Sequence, residues 1–529
     1  MSLRSIPGVF ASACFIVTLF VVVSHAQKPD SPFVKDELLV KLRTTNGKLS
    51  ADIRLARLGV GHLETLGDLG WMRVKLFSGQ DPQAAAAELL KNEEIEYAQP
   101  NYYYHLDATP NDAQWNNSGL YGLRIISAPA AWDLSTGSSS VVVANIDTGI
   151  RYTHEDLAAN MWVNPGEIPG NGIDDDGNGF ADDIYGYDFF YNDADPIDEN
   201  GHGTHTSGTI GAVGNNLLGV VGVNWSVKIM AIKIYNNTGF GTTSAMLINA
   251  YNYVRLMKNR GINIRVTNNS YSGCDEACGY DQATKDALDA MGNAGILNVF
   301  AAGNNAINND TSAAPNYPAT YTSPSVMAVA ASTSTDIRAS FSAYGPTSVD
   351  IAAPGSGILS TTNTSNSSYG GNSGTSMATP HVTGAAALLS AYNPSLSVAS
   401  LKATLMNSVD TFASLGTTVS NNWLPTPVRS GGRLNVLNAL KNQTVCAFNL
   451  SSTNISARTK GGYYTITLTA AQNCDYSIES NAKWIKFDGS DSRSGSGPIG
   501  IRIGVNPTIS RSGTLTVGGQ TITVTQSRS

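Results

Sequence analysis

The chain has 529 residues, a formal net charge of −8 and only 14% charged residues. That length exceeds what one compact core usually holds, so two or three domains are expected. No basic patch with interleaved aromatics is present, which argues against nucleic acid as a partner.

The N-terminus carries Arg4, an apolar run from Val9 to Val23, and then Ser24-His25-Ala26. A basic start, a hydrophobic centre and a small-x-small site mark a secretory signal peptide over residues 1–26, cut near Ala26-Gln27. The alternative is a membrane anchor, but the run falls short of the roughly 20 apolar residues that a spanning helix needs. The expected destination is therefore secreted and extracellular, with no membrane attachment after cleavage. Cys14 leaves with the signal, and Cys274, Cys278, Cys446 and Cys474 stay. An oxidising compartment permits disulfides, and local pairing is the simplest of the three connectivities. Neither pair has the His or Cys company that a zinc site requires.

Residues 27–112 read as a small mixed unit. Glu37–Leu42 and Trp71–Leu76 are strand-like, Pro82–Lys91 is helical, and an extended run from Ile95 to His105 gives way to polar Asp107–Asp112. From about 113 to 440 the pattern changes. Val141–Ile146, Val227–Ile234 and Asn298–Ala302 are largely apolar runs, with a helical stretch over Ser244–Lys258. Runs of that kind suit buried parallel strands, and their alternation with helices predicts an α/β domain, a parallel sheet flanked by helices. Sites in such domains collect at the carboxyl ends of strands, where Asp147 and Asn304 fall.

An acidic loop lies within this domain. Asp174, Asp176 and Asn178 alternate as at the opening of a calcium loop, and Asp183 could close it. The twelfth position is Tyr185 rather than glutamate, so the loop is not a full EF-hand. A structural calcium ion on Asp174, Asp176, Asn178 and Asp183 stands against a solvated acidic turn. Residues 445–529 change periodicity again. Tyr464–Leu468 alternates at period two, and Gly513–Val517 and Gln520–Thr525 flank Gly518-Gly519, a hairpin signal. A small all-β sandwich is expected there.

Three motifs carry chemistry. Val143–Gly149 is an apolar strand ending in Asp147; His202-Gly203-Thr204-His205 offers an imidazole; Gly374-Thr375-Ser376 opens a helical stretch running through Leu389. A serine hydroxyl is a poor nucleophile near neutral pH. It needs a base within hydrogen-bond reach, and that base needs a carboxylate to hold its tautomer. The helix entrance adds free N–H groups and a positive dipole end that favour a developing oxyanion. The order Asp, His, Ser is that of subtilisin. From about residue 30 to 440 the chain resembles a subtilisin-like serine endopeptidase.

The resemblance implies roles. Asp147, His202 and Ser376 would form the triad, with His205 structural. Asn304, after Ala301-Ala302-Gly303, would donate its side-chain amide to the oxyanion beside the Ser376 N–H. Losing such a donor costs roughly 100- to 1,000-fold in turnover, a magnitude that belongs to subtilisin itself rather than to this chain. Ser270, Tyr271 and Ser272 would pair with the substrate backbone, although the family more often has leucine and glycine at the last two positions. Asn305 and Asn316 are uncharged and imply broad specificity for uncharged residues. No organic cofactor is implied.

Residues 27–112 resemble the family's propeptide, a folding aid and intramolecular inhibitor removed by self-cleavage between about 104 and 112. In the tail, Trp484-Ile485, the Gly495-Ser496-Gly497 turn and the closing hairpin resemble BACON-type modules, whose ligand here is unknown. Polypeptides are the implied substrates. An aspartic protease would need two Asp-Thr-Gly loops, and only one is present. An esterase would carry Gly-x-Ser-x-Gly and the order Ser, Asp, His. A catalytically silent binding protein acting through the sandwich is opposed by the joint presence of Asp147, His202, Ser376 and Asn304.

Overall fold

The computed structural model describes residues 33–43, 49–77, 79–103, 109–272, 280–411, 428–506 and 509–527. The expected signal peptide, the pair Cys274 and Cys278, and residues 104–108 of the expected processing segment lie outside the described residues. Two compact units divide the chain, Met1–Leu106 and Asp107–Ser529.

In the first unit the elements are β1 (Phe33–Leu42), α1 (Ala51–Arg57), β2 (Val60–Leu66), β3 (Trp71–Leu76), α2 (Pro82–Leu89) and β4 (Ile95–Tyr102). The strands form an antiparallel sheet in the order β2-β3-β1-β4. Alternation on β1 and β3 turns Leu38, Val40, Met72 and Val74 onto one face, where Leu55 of α1 and Leu89 of α2 cover them. Helix α2 starts where Asp81 accepts the Gln83 and Ala84 N–H groups and Pro82 takes the first position.

The second unit opens with α3 (Tyr121–Ile125) and α4 (Ala128–Trp132), followed by β5 (Gly137–Asp147), β6 (Gly186–Asp188), α5 (His202–Gly211) and β7 (Ser226–Lys233). Next come α6 (Ser244–Asn259), β8 (Ile264–Asn269), α7 (Gln282–Asn293), β9 (Leu297–Ala301), β10 (Val326–Ser332) and β11 (Ile351–Pro354). A hairpin of β12 (Ile358–Thr361) and β13 (Tyr369–Asn372) leads to α8 (Thr375–Tyr392), α9 (Val398–Asn407), β14 (Asp410–Thr411), β15 (Gly432–Arg433) and α10 (Val436–Lys441).

The sheet runs β14-β15-β11-β10-β9-β8-β5-β7-β6 and is parallel except at the β14–β15 edge. Both faces are buried, which explains the unbroken apolar runs. On β5, Val141 and Val143 join the core shared with Ala378, Val382 and Ala385 of α8, while Val142, Ala144 and Ile146 join that of Tyr251 and Leu288 from α6 and α7. Among the described residues no helix is long and apolar enough to cross a membrane.

The tail strands are β16 (Asn449–Leu450), β17 (Asn454–Ala457), β18 (Gly462–Thr469), β19 (Asp475–Ser480), β20 (Ile485–Phe487), β21 (Ser492–Ser494), β22 (Gly497–Ile503), β23 (Arg511–Val517) and β24 (Gln520–Gln526). They form two sheets, β16-β18-β22-β20 and β17-β24-β23-β19-β21. Ile466, Leu468 and Ile501 of the first face Leu515, Ile522 and Val524 of the second in a common core. Gly518 and Gly519 take φ of +55° and +76° in the β23–β24 turn, a left-handed geometry that glycine adopts freely. Cys446 and Cys474 are bridged, with Cα atoms 5.5 Å apart and 28 residues of separation. On the chain-entropy account that closure contributes about 3–4 kcal/mol.

Candidate active site

Strand β5 ends on Asp147, Ser270 follows β8, and Asn304 lies just beyond β9, so all three reach the carboxyl edge of the parallel sheet. The apolar strand carries the Asp147 carboxylate into a site where the residue is only 2% exposed. Its Oδ1 accepts from the Thr148 N–H at 2.8 Å and from His202 Nδ1 at 2.7 Å, and its Oδ2 accepts from the Thr206 hydroxyl at 3.2 Å. Because a carboxylate only accepts, the imidazole proton sits on Nδ1, and Nε2 is left with a free lone pair.

His202 is the first residue of α5, and a glycine behind it makes the approach feasible. A Cβ on Gly203 would stand 2.1 Å from the Gly149 carbonyl oxygen and 3.1 Å from the Asp147 Cβ. Burial works against the imidazolium, but the charge and hydrogen bond of Asp147, with Asp198 behind it, outweigh burial and raise the His202 pKa. His205 has a different setting. It is 3% exposed, with Nε2 at 3.1 Å from both the Ile358 and Gly370 carbonyls. Burial and the neighbouring His202 charge push its pKa down to about 4, so it stays neutral and structural.

Ser376 occupies the first turn of α8, where its N–H has no helical carbonyl one turn earlier to bond. Asn304 Oδ1 is engaged by the Thr375 N–H at 2.8 Å and the Thr375 hydroxyl at 3.0 Å. That arrangement leaves the exposed Asn304 amide nitrogen facing the helix entrance, 3.5 Å from where a Cβ on Gly374 would stand. Two donors, the Asn304 amide and the Ser376 N–H, thus meet at the helix entrance. The Ser376 hydroxyl itself donates to the Ser270 carbonyl at 2.9 Å, and the Ser270 hydroxyl returns a bond to the Ser376 carbonyl at 2.9 Å. Among the described residues no hydrogen bond joins it to His202; such contacts are often loose before substrate arrives.

A buried amide network lies beneath these groups. The Asn145 Nδ2 contacts the Gly203 carbonyl, Thr206 Oγ1 and Ser207 Oγ at 2.8–3.0 Å. Asn268 donates to Asn145 Oδ1 at 2.8 Å and to the Ser270 hydroxyl at 3.0 Å, and it accepts from Thr383 of α8 at 3.1 Å. Asn145, Asn268 and Thr383 are fully buried. One network therefore ties β5, α5, β8 and α8 together.

Ser270, Tyr271 and Ser272 leave the sheet after β8, and the main chain of Tyr271 and Ser272 makes no backbone hydrogen bond among the described residues. That edge is open to an extended peptide. The Tyr271 ring turns inward: its hydroxyl donates to Asn269 Oδ1 at 2.9 Å and lies 2.7 Å from the Tyr251 hydroxyl, and its ring meets Phe300 edge-on. Asn305 and Asn316 form a reciprocal amide pair at 3.0 and 3.2 Å. Both are thereby loop-forming residues as well as uncharged ones.

The acidic loop is assembled differently from its linear pattern. Asp174 accepts the Asn178 and Gly179 N–H groups at 3.0 and 2.7 Å and serves the turn. The carboxylates that gather within 4.8 Å are Glu167, Asp176 and Asp183. Asn178 bridges Asp176 and Asp183 through its amide at 3.2 and 2.9 Å, and Asn164 does the same at 3.1 and 2.6 Å. These three carboxylates are the group that could hold a hard cation. Burial pushes Asp183 up to about 6. A second pair, Asp112 and Asp156, is absent from any linear motif. Asp156 is fully buried and pushed up to about 6 by burial, and Asp112 is raised likewise. The loop at 215–220 encloses the pair through the Asn215 and Val220 N–H groups and the Asn216 amide.

Comparison with known proteins bears on this arrangement. The profile of the subtilase family matches residues 138–440, and that of the fervidolysin N-terminal prodomain matches residues 21–101. Thermitase of Thermoactinomyces vulgaris is 38% identical over 309 residues, covering 58% of this chain and 94% of thermitase. A thermophilic serine proteinase of Bacillus sp. (strain AK1) is 37% identical, covering 58% of this chain and 66% of its own length. A solved structure of a cold adapted subtilisin-like serine proteinase is 30% identical, with a TM-score of 0.42, over 57% of this chain and 90% of that one. With a prodomain match placed ahead of a match that spans the sheet, the histidine helix and the serine helix, the chain belongs to the subtilase family and is a serine endopeptidase.

Proposed function

We propose that this protein is a secreted endopeptidase made as a self-processing zymogen, working through Asp147, His202 and Ser376. The observation that carries the reading is the 2.7 Å bond from His202 Nδ1 to a buried Asp147, with Ser376 at the entrance of α8. His202 Nε2 takes the serine proton as Oγ attacks the scissile carbonyl carbon. The tetrahedral oxyanion is met by the Asn304 amide and the Ser376 N–H. The proton then passes to the leaving amine, and water repeats the sequence on the acyl-enzyme. Asp147 holds the tautomer and stabilises the imidazolium.

The main chain of Tyr271 and Ser272, without a backbone hydrogen bond among the described residues, supports an extended polypeptide substrate bound by its backbone. The organisation we propose is a signal peptide (1–26), a prodomain acting as intramolecular inhibitor (27–112), a peptidase domain (113–440) and a β-sandwich (445–529). Glu167, Asp176 and Asp183 would hold structural calcium, with no part in the chemistry.

Casein hydrolysis by the wild type beside Ser376→Ala, with product sizes followed on a gel, tests the reading. Clearing and loss of a prodomain-sized fragment are expected in the wild type alone. A folded wild type as inert as the variant sinks it.

A further inference from the structure

Between the peptidase domain and the tail lies a cluster of buried charges that the reaction does not use. On α9, the Lys402 side chain is 3% exposed, and its ammonium stands 3.0 Å from Asp475 and 3.3 Å from Asp350. It also donates to the Val326 carbonyl at 2.5 Å. Arg429 grips Asp475 in a fork at 2.6 and 2.9 Å and touches Asp350 at 3.3 Å. Lys402, Arg429 and Asp350 belong to the peptidase domain, whereas Asp475 opens β19 of the sandwich. Taken without the sandwich, this spot holds two cations and one carboxylate. With it, the charges balance.

The surroundings are built to hold that carboxylate in place. The disulfide Cys446–Cys474 ends on the residue before it. The connecting chain lies along α9: the Cys446 N–H donates to Ser400 Oγ at 3.0 Å, and the Thr444 N–H to Thr404 Oγ1 at 2.9 Å. Asn407 and Asn473 are joined at 2.7 Å. Burial opposes ionisation of Asp475, but Lys402 and Arg429 outweigh it and hold the carboxyl well below the usual range. A module swinging on a linker would show none of these contacts.

We propose that the C-terminal sandwich is an integral clamp of the peptidase domain, seated by Asp475 as the missing anion of the Lys402–Arg429–Asp350 cluster. Val326 opens β10 and Asp350 precedes β11, so the clamp fastens that side of the sheet to α9. Local opening exposes cleavable backbone, and a peptidase surrounded by copies of itself is digested through such openings. Suppressing them is the function assigned to the tail.

The test uses the full-length protein, with Asp475→Asn beside Asp488→Asn, whose partner Arg502 is exposed on the sandwich surface. Calorimetry of the wild type should show peptidase and sandwich unfolding in one transition. Removing one partner of a buried ion cluster should lower Tm by about 5–10 °C, split off a sandwich transition and shorten the autolysis half-life severalfold. Turnover of a short peptide at 25 °C should stay within about twofold, and Asp488→Asn should match the wild type. Should Asp475→Asn not accumulate, Lys402→Met with Asp475→Leu leaves Arg429 balanced by Asp350 and should fold with Tm near wild type. A wild type that melts in two separate steps, an unshifted Asp475→Asn, or a double variant that also fails to fold overturns the proposal.

Discussion

Tyr271 makes a sharp prediction because its hydroxyl can donate only one proton. That proton goes to Asn269 Oδ1 at 2.9 Å, which accepts only, so the Tyr251 hydroxyl must be the donor in the 2.7 Å phenol pair. Burial raises both phenols well above their usual range, so both protons are held at neutral and mildly alkaline pH. Tyr271→Phe strands two groups, the Tyr251 O–H, whose residue is fully buried, and Asn269 Oδ1. At about 1–3 kcal/mol for each orphaned buried group, the loss should be about 2–6 kcal/mol. Tyr251→Phe alone leaves Tyr271 still bonded to Asn269 and should cost about 0.5–1.5 kcal/mol. In the double variant only Asn269 is stranded. Adding Tyr251→Phe to Tyr271→Phe should therefore stabilise the protein by about 1–3 kcal/mol, reversing the sign of its effect in the wild type. Urea unfolding of all four proteins in a Ser376→Ala background reads this directly. Additive losses, with the double variant the least stable, would refute the donor assignment. In active protein, if extended peptides pair with the Ser270–Ser272 edge as proposed, Tyr271→Phe should raise KM for them more than for a small ester.

Two pH dependences follow from the charged groups. His202 must be neutral to take the serine proton, and Asp147 raises its pKa, so kcat/KM should fall on acidification at a pH above the ordinary imidazole value. Asp147→Asn should move that acid limb to lower pH as well as slowing the reaction; an unmoved limb in a pH–rate profile would contradict the assignment. Because the folded pKa is raised, the stability that His202 contributes is present below its ordinary value and lost as pH rises through the raised one. Asp156 and Asp183, both raised to about 6, behave in the same direction. The folded state binds extra protons between their ordinary range and about 6, so in EDTA the thermal midpoint should climb as pH falls through that window. Millimolar calcium should flatten this slope and raise the midpoint at pH 7. Identical slopes with and without calcium would remove the cation from the Glu167, Asp176 and Asp183 cluster.

Much of the site was legible because each motif is local. Asp147 closes an apolar run, Ser376 opens a helix and Asn304 follows a strand, so short stretches of sequence already placed these three at element ends, whereas His202 was read from its motif and the helix it opens was not. The inward turn of Tyr271 was not legible, because its partner Tyr251 lies on α6 and nothing near Tyr271 in the chain signals a second phenol. The acidic loop was legible in part: its alternating spacing picked out Asp174, Asp176, Asn178 and Asp183, but Glu167, which gathers with Asp176 and Asp183, lies ahead of the pattern, and Asp174 also serves the turn through the Asn178 and Gly179 N–H groups. Asp112 and Asp156 meet only through the loop at 215–220, and Asp475 meets Lys402 and Arg429 only once the sandwich is seated. In the first unit, α1 spans only seven residues, too few for a helical period to stand out, and β2 is exposed from His62 to Thr65, so it carries no apolar alternation.

The buried amide network under the site has a consequence for how this chain reaches its native state. Asn145, Asn268 and Thr383 are satisfied only when β5, α5, β8 and α8 are all in register. The bonded partners are far apart in the chain, 123 residues for Asn145 and Asn268 and 115 for Asn268 and Thr383. A state with three elements docked leaves part of the network unpaired in a dry interior, as Asn268 Oδ1 is until Thr383 of α8 arrives, so intermediates are penalised until the last element docks. Long-range closure of that kind makes the ascent to the folded state slow and, equally, the descent from it rare. A slow ascent is the difficulty an N-terminal folding aid would relieve, and a rare descent is what lets a peptidase outlast its own activity once the aid is gone.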